Sequence, residues 1–224
     1  MLTIAEALIL LGTDDEKGTK VPEAGSKLDY GLVGAILAEL TIQERIRLED
    51  GGVSVINDSL TDIPYFNSVI TEIKDEGRKR TVSYWLGKLS GRNDEINDPI
   101  YLSLVGKGIL KEEGQSYLLI FNKNVYPTVD EGPEEDIKSM VSRIIFENRK
   151  PGAEPAMLLS LVYTCGLIEE VFGSDNKEAE KRIQDMVENN EYGEEVKQSV
   201  EMMETEILSA VTMMVTPEDT SKSV

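Results

Sequence analysis

Residues 156–168 read AMLLSLVYTCGLI, the longest apolar run in a chain of 224 residues. Its thirteen residues fall short of the roughly 18 that would suggest a membrane span, and Ser160, Thr164 and Cys165 interrupt it. From Ala156 to Phe172 the sequence is apolar on nearly every side. A helix of that kind belongs at the centre of a bundle, because no face of it suits water. Cys165 inside it reads as a small apolar filler and not as a nucleophile.

Outward from this segment, apolar residues recur mostly at helical spacing. Thr3 and Glu6 form a T-x-x-E capping box, which predicts a helix from about residue 4. Leu32, Val33, Ile36, Leu37 and Leu40 mark a second helix, from about Leu28 to Ile42. Gly31 and Gly34 on it allow another backbone to come close. Asp62 is a candidate cap for a helix carrying Phe66, Val69, Ile70 and Ile73, and Thr81 for one carrying Val82, Trp85, Leu86 and Leu89. Asp98–Pro99 starts a helix that Lys107–Gly108 stops. Ile137, Met140, Val141, Ile144 and Ile145 lie on an amphipathic helix. A charged helix from about Lys177 to Asn190 and a last helix from Val196 to Met214 follow. Met202, Met203, Met213 and Met214 on that last helix are assigned to core packing.

Two stretches depart from the helical period. Arg45–Leu48 and Val53–Ile56, joined through Gly51–Gly52, read as a hairpin. Ile109–Leu110, a polar turn at 112–115 and Tyr117–Phe121 predict a second. The expected fold is mainly α, a central hydrophobic helix bundle ringed by amphipathic helices, with two short β-hairpins. One domain spans 1–216, and a polar tail, 217–224, is expected to fray.

Composition excludes several functions. The chain has no His and one Cys, so it holds no Ser-His or Cys-His dyad, no imidazole metal site and no disulfide within the chain. No catalytic residue, metal ligand or cofactor is assigned. The formal charge of −19 disfavours strong, sequence-blind binding to nucleic acid or anionic lipid, which depends on Lys and Arg. The start has no basic region ahead of its apolar run, and Glu6 interrupts that run, so it does not read as a signal peptide. A cytoplasmic protein is expected.

Few cations stand out. Arg78–Lys79–Arg80 is the one run of three basic residues, and Asp75 and Glu76 beside it partly cancel its field. Lys88 and Arg92, four apart around Ser90–Gly91, are spaced to face one ligand. The acidic groups Asp14–Glu16 and Glu134–Asp136 lack the alternating ligand pattern of a calcium loop. Tyr117, Leu118, Leu119, Ile120 and Phe121 are five consecutive apolar or aromatic residues. They cannot all face one side of a strand, so some must meet a second surface: the helical core, another subunit or a membrane interface.

LTIAEALILL (2–11), DDEKG (14–18), LDYGLVGAILAEL (28–40), RIRLED (45–50), YWLGKLSG (84–91), LVGKGIL (104–110), YP (126–127) and AMLLSLVYTCGLIEEVF (156–172) occur in that order. Together they resemble the Golgi phosphoprotein 3 family, as a prokaryotic member of it would, over about residues 2–215. The resemblance implies a hydrophobic helix bundle with a protruding hairpin, here at about residues 109–121, used in membrane contact and oligomerisation. It implies a non-catalytic peripheral membrane protein. The eukaryotic members bind phosphatidylinositol 4-phosphate and help retain Golgi glycosyltransferases. Their headgroup pocket uses a Trp and several Arg, and the corresponding positions here are Ala24, Val33, Asp94 and Asn97. The resemblance therefore leaves phosphoinositide specificity without its usual residues. Lys20, Lys27, Lys88 and Arg92 are the remaining candidates to hold an anionic headgroup.

Three readings compete. The first is a non-catalytic protein of this family, peripheral to a membrane, with a phospholipid headgroup or membrane surface, a protein partner, or a second copy at the hairpin. The second is a winged-helix-like nucleic-acid binder or a purely protein-binding scaffold. Pro99–Phe121 has the helix-then-hairpin order of a winged helix, but its recognition helix carries no Lys or Arg up to Gly106. The third is an enzyme using carboxylates or a bound metal, for which no paired motif is found.

Overall fold

The computed structural model describes residues 2–92, 94–117, 121–174, 176–189, 193 and 198–215. Three helices form the centre. All eight residues of α1 (Ile4–Leu11) are buried, as is every residue of α2 (Lys27–Ile42) from Gly31 to Thr41, and of α7 (Ala153–Thr164) from Ala156 to Val162. These helices pack on one another, and α2 and α7 also pack on α10 (Gln198–Val215). Around them stand helices with a single buried stripe, as in α3 (Pro64–Asp75), which buries Tyr65, Phe66, Val69, Ile70 and Ile73. α4 (Val82–Leu89), α5 (Asn97–Gly106), α6 (Gly132–Phe146), α8 (Ile168–Phe172) and α9 (Lys177–Asn189) complete the helices of the described residues. The mainly α bundle with its ring of amphipathic helices is the fold expected.

Local signals act where they were read. Thr3 Oγ1 accepts from the Glu6 N–H (3.0 Å), and the Glu6 carboxylate accepts from the Thr3 N–H (2.8 Å). This reciprocal cap satisfies two donors that the helix start would leave unpaired. Thr81 caps α4 through the Tyr84 N–H (3.2 Å). Gly31 and Gly34 admit side chains where a backbone was expected. A Cβ on Gly31 would sit 2.4 Å from Cys165 Sγ, and one on Gly34 2.6 Å from Ile207 Cγ2.

Several expectations need correction. The apolar segment after Ala156 is not one helix. Gly166, at φ +76°, takes the left-handed conformation that glycine adopts without strain. Its N–H donates to the Tyr163 carbonyl and that of Leu167 to the Val162 carbonyl, a pairing that ends α7 before α8 begins. Asp62 does not cap α3. The helix starts on Pro64 without a side-chain cap, and the turn before it is held by Asn67, which accepts from the Thr61 N–H and donates to the Thr61 carbonyl, both at 2.8 Å. α5 starts at Asn97, ahead of Asp98–Pro99. The methionines of α10 divide: Met203 is fully buried, whereas Met202 is 42% and Met213 70% exposed.

The first hairpin is β1 (Ile46–Glu49) with β2 (Gly52–Val55), antiparallel, with Ile46 opposite Val55. The second is β3 (Glu113–Tyr117) with β4 (Phe121–Val125), with Tyr117 opposite Phe121. Glu113, Gly114 and Gln115, expected in its turn, lie in β3 instead. Ile109 and Leu110 are buried in the body, so their apolarity belongs to the core and not to the hairpin. The paired strands lie beyond them. Leu118, Leu119 and Ile120, the expected end of helix α9 at Asn190, the residue Val196 and the tail from Pro217 lie outside the described residues.

Candidate functional site

Lys88 and Arg92 do converge, and they converge on a carboxylate of the protein itself. Glu72 in the last turn of α3 and Glu76, its C-cap, lie four residues apart. Glu72 receives the Lys88 ammonium (2.9 Å) and the Arg92 guanidinium (2.9 Å). Glu76 receives Arg80 (2.7 Å), the Tyr84 hydroxyl (2.9 Å) and Lys88 (3.3 Å). Arg92 also reaches Glu95 at 2.8 Å. Hydrogen bonds from Arg80 and then Tyr84 push the Glu76 carboxyl down to about 2. Lys88 and then Arg92 hold Glu72 below the ordinary carboxylate range. The Arg80 guanidinium lies 4.4 Å from the Tyr84 ring centre and the Lys88 ammonium 5.1 Å from that of Trp85. The network ties α3 to α4.

Lys20 lies elsewhere, in the loop between α1 and α2. Its ammonium pairs with Asp29 Oδ1, and Asn97 Nδ2 donates to the same oxygen at 2.6 Å. The start of α5 is thus bound to the first turn of α2. Lys27, the first residue of α2, is half-buried beside Gly166 and has no ion pair among the described residues. Of the basic run, Lys79 pairs with Glu49 and Asp50, and Arg80 and Arg78 with Glu76. The four candidate cations form no single cluster: two meet at Glu72, one at Asp29, and Lys27 stands alone.

The positions at which the resemblance expects a Trp and several Arg are mostly interior. Ala24 and Val33 are fully buried and Asn97 nearly so, while Asp94 is exposed. Asp98 nearby is held above the ordinary carboxyl range, first by burial and then by Asp94 and Glu112. An incoming phosphate there would meet further acid. Sequence reading set Glu76 beside the basic run but did not find Glu72 or Asp29 as carboxylate partners. Glu72 lies sixteen and twenty residues from Lys88 and Arg92, and only the packing of α3 on α4 brings them together.

The second hairpin is fastened at its base. The Tyr126 N–H donates to the Gly18 carbonyl (2.8 Å), the Thr128 N–H to the Asp15 carbonyl (2.9 Å) and the Lys111 N–H to the Pro127 carbonyl (3.0 Å). The Tyr126 ring stacks on Tyr101 with centres 4.3 Å apart. Among the described residues β3 and β4 pair with each other and meet no helix to a comparable extent. Between Ile109 and Val125 the sequence has two Lys and two Glu, so this segment is neutral in a strongly acidic chain.

These parts define a class: a mainly helical domain that carries two short β-hairpins, with its best-placed cations engaged by its own carboxylates. Residues 4–203 match the family model described as Golgi phosphoprotein 3 (GPP34). The chain therefore belongs to the Golgi phosphoprotein 3 family, which is not a family of enzymes. No curated protein matches it. Among the described residues no helix is long and apolar enough to cross a membrane.

Proposed function

We propose that this chain is a non-catalytic, cytoplasmic interaction protein that attaches peripherally to membranes through the β3–β4 hairpin, without an arginine-built phosphoinositide pocket. The observation that carries the reading is the hairpin. Among the described residues β3 and β4 contact chiefly each other, Tyr117 pairs with Phe121, and the segment is neutral overall with the apolar sequence Tyr117–Phe121. A body of charge −19 is repelled by an anionic leaflet within a Debye length of about 8 Å at physiological salt. A neutral apolar segment such as Tyr117–Phe121 escapes that repulsion, and its burial in the interface gains about 0.8 kcal/mol per CH₂. Aromatic residues at its two ends suit the headgroup level.

The engaged cations argue against headgroup capture. A free phosphate would have to displace Glu72 from Lys88 and Arg92. That carboxylate is tethered, so it competes at a high effective concentration, on the order of millimolar or above.

Vesicle flotation tests the reading. The wild-type chain should float with neutral vesicles, with no gain from phosphatidylinositol 4-phosphate, and a Leu118→Asp/Ile120→Asp variant should stay with the soluble fraction. Failure of the wild type to float with any composition would remove the membrane role. Flotation only with the phosphoinositide would overturn the pocket argument. A concentration-dependent rise in mass on sedimentation, lost in the same variant without any vesicle binding, would assign the hairpin to self-association instead.

A further inference from the structure

On the side of the bundle where α1, α6 and α7 begin, a cavity of about 480 Å³ opens to solvent. Ile4 and Ala7 of α1, Ile137 and Met140 of α6, and Leu158 of α7 form its apolar walls. Its size lies within the roughly 300–1,000 Å³ of small-molecule sites.

The electrostatics select the sign of the occupant. Helix starts ordinarily favour anions through unpaired N–H groups. Here Pro133 and Pro155, in the first turns of α6 and α7, line the cavity with rings and supply no donor. The charged groups of the lining are two carboxylates, Asp136 and Glu154, and no Lys or Arg is among the lining residues. Both carboxylates are exposed and neither has an ion pair among the described residues. Behind Ile4 lies a third acid, Glu39, whose Oε2 accepts from the Ile4 N–H at 2.7 Å. Thr3, the polar residue at the inner end, already has its hydroxyl engaged by the Tyr65 hydroxyl (2.9 Å) and the Glu6 N–H.

We propose that this cavity binds a single-chain amphiphilic cation, an alkyl body with one ammonium group, its tail among Ile4, Ile137 and Leu158 and its ammonium between Asp136 and Glu154. The site is separate from the hairpin, and its occupancy does not depend on membrane attachment. Met140, unbranched and at the mouth, can adjust to the tail.

Isothermal titration of the full chain with decylamine, decanol and decyl sulfate, each below its micellar concentration, tests this. Decylamine should bind saturably at one site per chain, about fivefold tighter than decanol, with decyl sulfate weaker still. An Asp136→Asn/Glu154→Gln variant should lose that about fivefold advantage for the amine and keep its affinity for decanol. Met140→Trp, which fills the mouth from a partly exposed position, should weaken all three, with circular dichroism checking that the chain remains folded. Equal binding of decyl sulfate and decylamine would overturn the proposal. So would full amine affinity in the carboxamide variant, uptake without saturation, or binding of a lysine-bearing apolar peptide by a chain that ignores decylamine.

Discussion

Replacing Glu39 by Gln should make the protein more stable at neutral and alkaline pH and remove part of its pH dependence. Glu39 lies on the buried length of α2 with 7% of its surface exposed. Burial pushes its carboxyl up to about 7 from an ordinary 4.5. Glu154 and Glu6 add to the rise, and the Ile4 N–H and Lys107 oppose it. In the unfolded chain the group ionises near its ordinary value, so between the two values the folded protein holds a proton that the unfolded chain has released. Stability from this group is fully present below about 4.5 and is lost as pH rises through about 7. At about 1.4 kcal/mol per pKa unit the span corresponds to about 3 kcal/mol. Gln keeps an oxygen for the Ile4 N–H and has no charge to desolvate. Urea unfolding of both proteins, followed by circular dichroism at about pH 5 and about pH 8, isolates the effect. Glu134 and Asp98, which burial also holds above the ordinary carboxyl range, titrate in both proteins and cancel in the difference. The variant should gain on the wild type by about 2 to 3 kcal/mol between the two conditions. A difference that stays constant with pH, or that favours the wild type at the higher pH, refutes the reasoning.

Three further outcomes follow from geometry already described. Glu72→Gln should cost less than about 1 kcal/mol, because the pairs it breaks are partly exposed, and should let millimolar inorganic phosphate raise the melting temperature, which it should not do in the wild type. Gly34→Ala places a methyl group 2.6 Å from Ile207 Cγ2 and should destabilise by about 1 to 3 kcal/mol in chemical unfolding. Thr3→Ala removes the α1 cap and the partner of the Tyr65 hydroxyl, at about 1 kcal/mol or more by the same measurement.

What could be read from the sequence followed the range of each interaction. The Thr3–Glu6 cap, the Thr81 cap and the apolar stripes of α3 and α4 are local patterns of three to eight residues, and each was legible. Central burial of AMLLSLVYTCGLI was legible too, because composition alone forbids it a wet face. The break at Gly166 was not, since glycine in an apolar run signals close approach and helix end equally well. The second hairpin was displaced because Ile109 and Leu110 look like strand residues, yet their apolarity serves the core. At the candidate site, cations were visible but their states were not: Glu72 reaches Lys88, and Asp29 reaches Lys20, only through tertiary packing. Glu39, an acid on the buried length of α2, was not singled out, and its partner at Ile4 lies thirty-five residues away.

The contact between Gly31 and Cys165 has a practical consequence. The thiol is fully buried against α2, burial pushes it up to about 12, and the chain has no other cysteine. An alkylating reagent can therefore reach a thiolate only after α2 and α7 part. The unmodified chain carries its own clock for the opening of its centre: the rate of labelling counts those separations, and any ligand or partner that clamps the bundle will slow it.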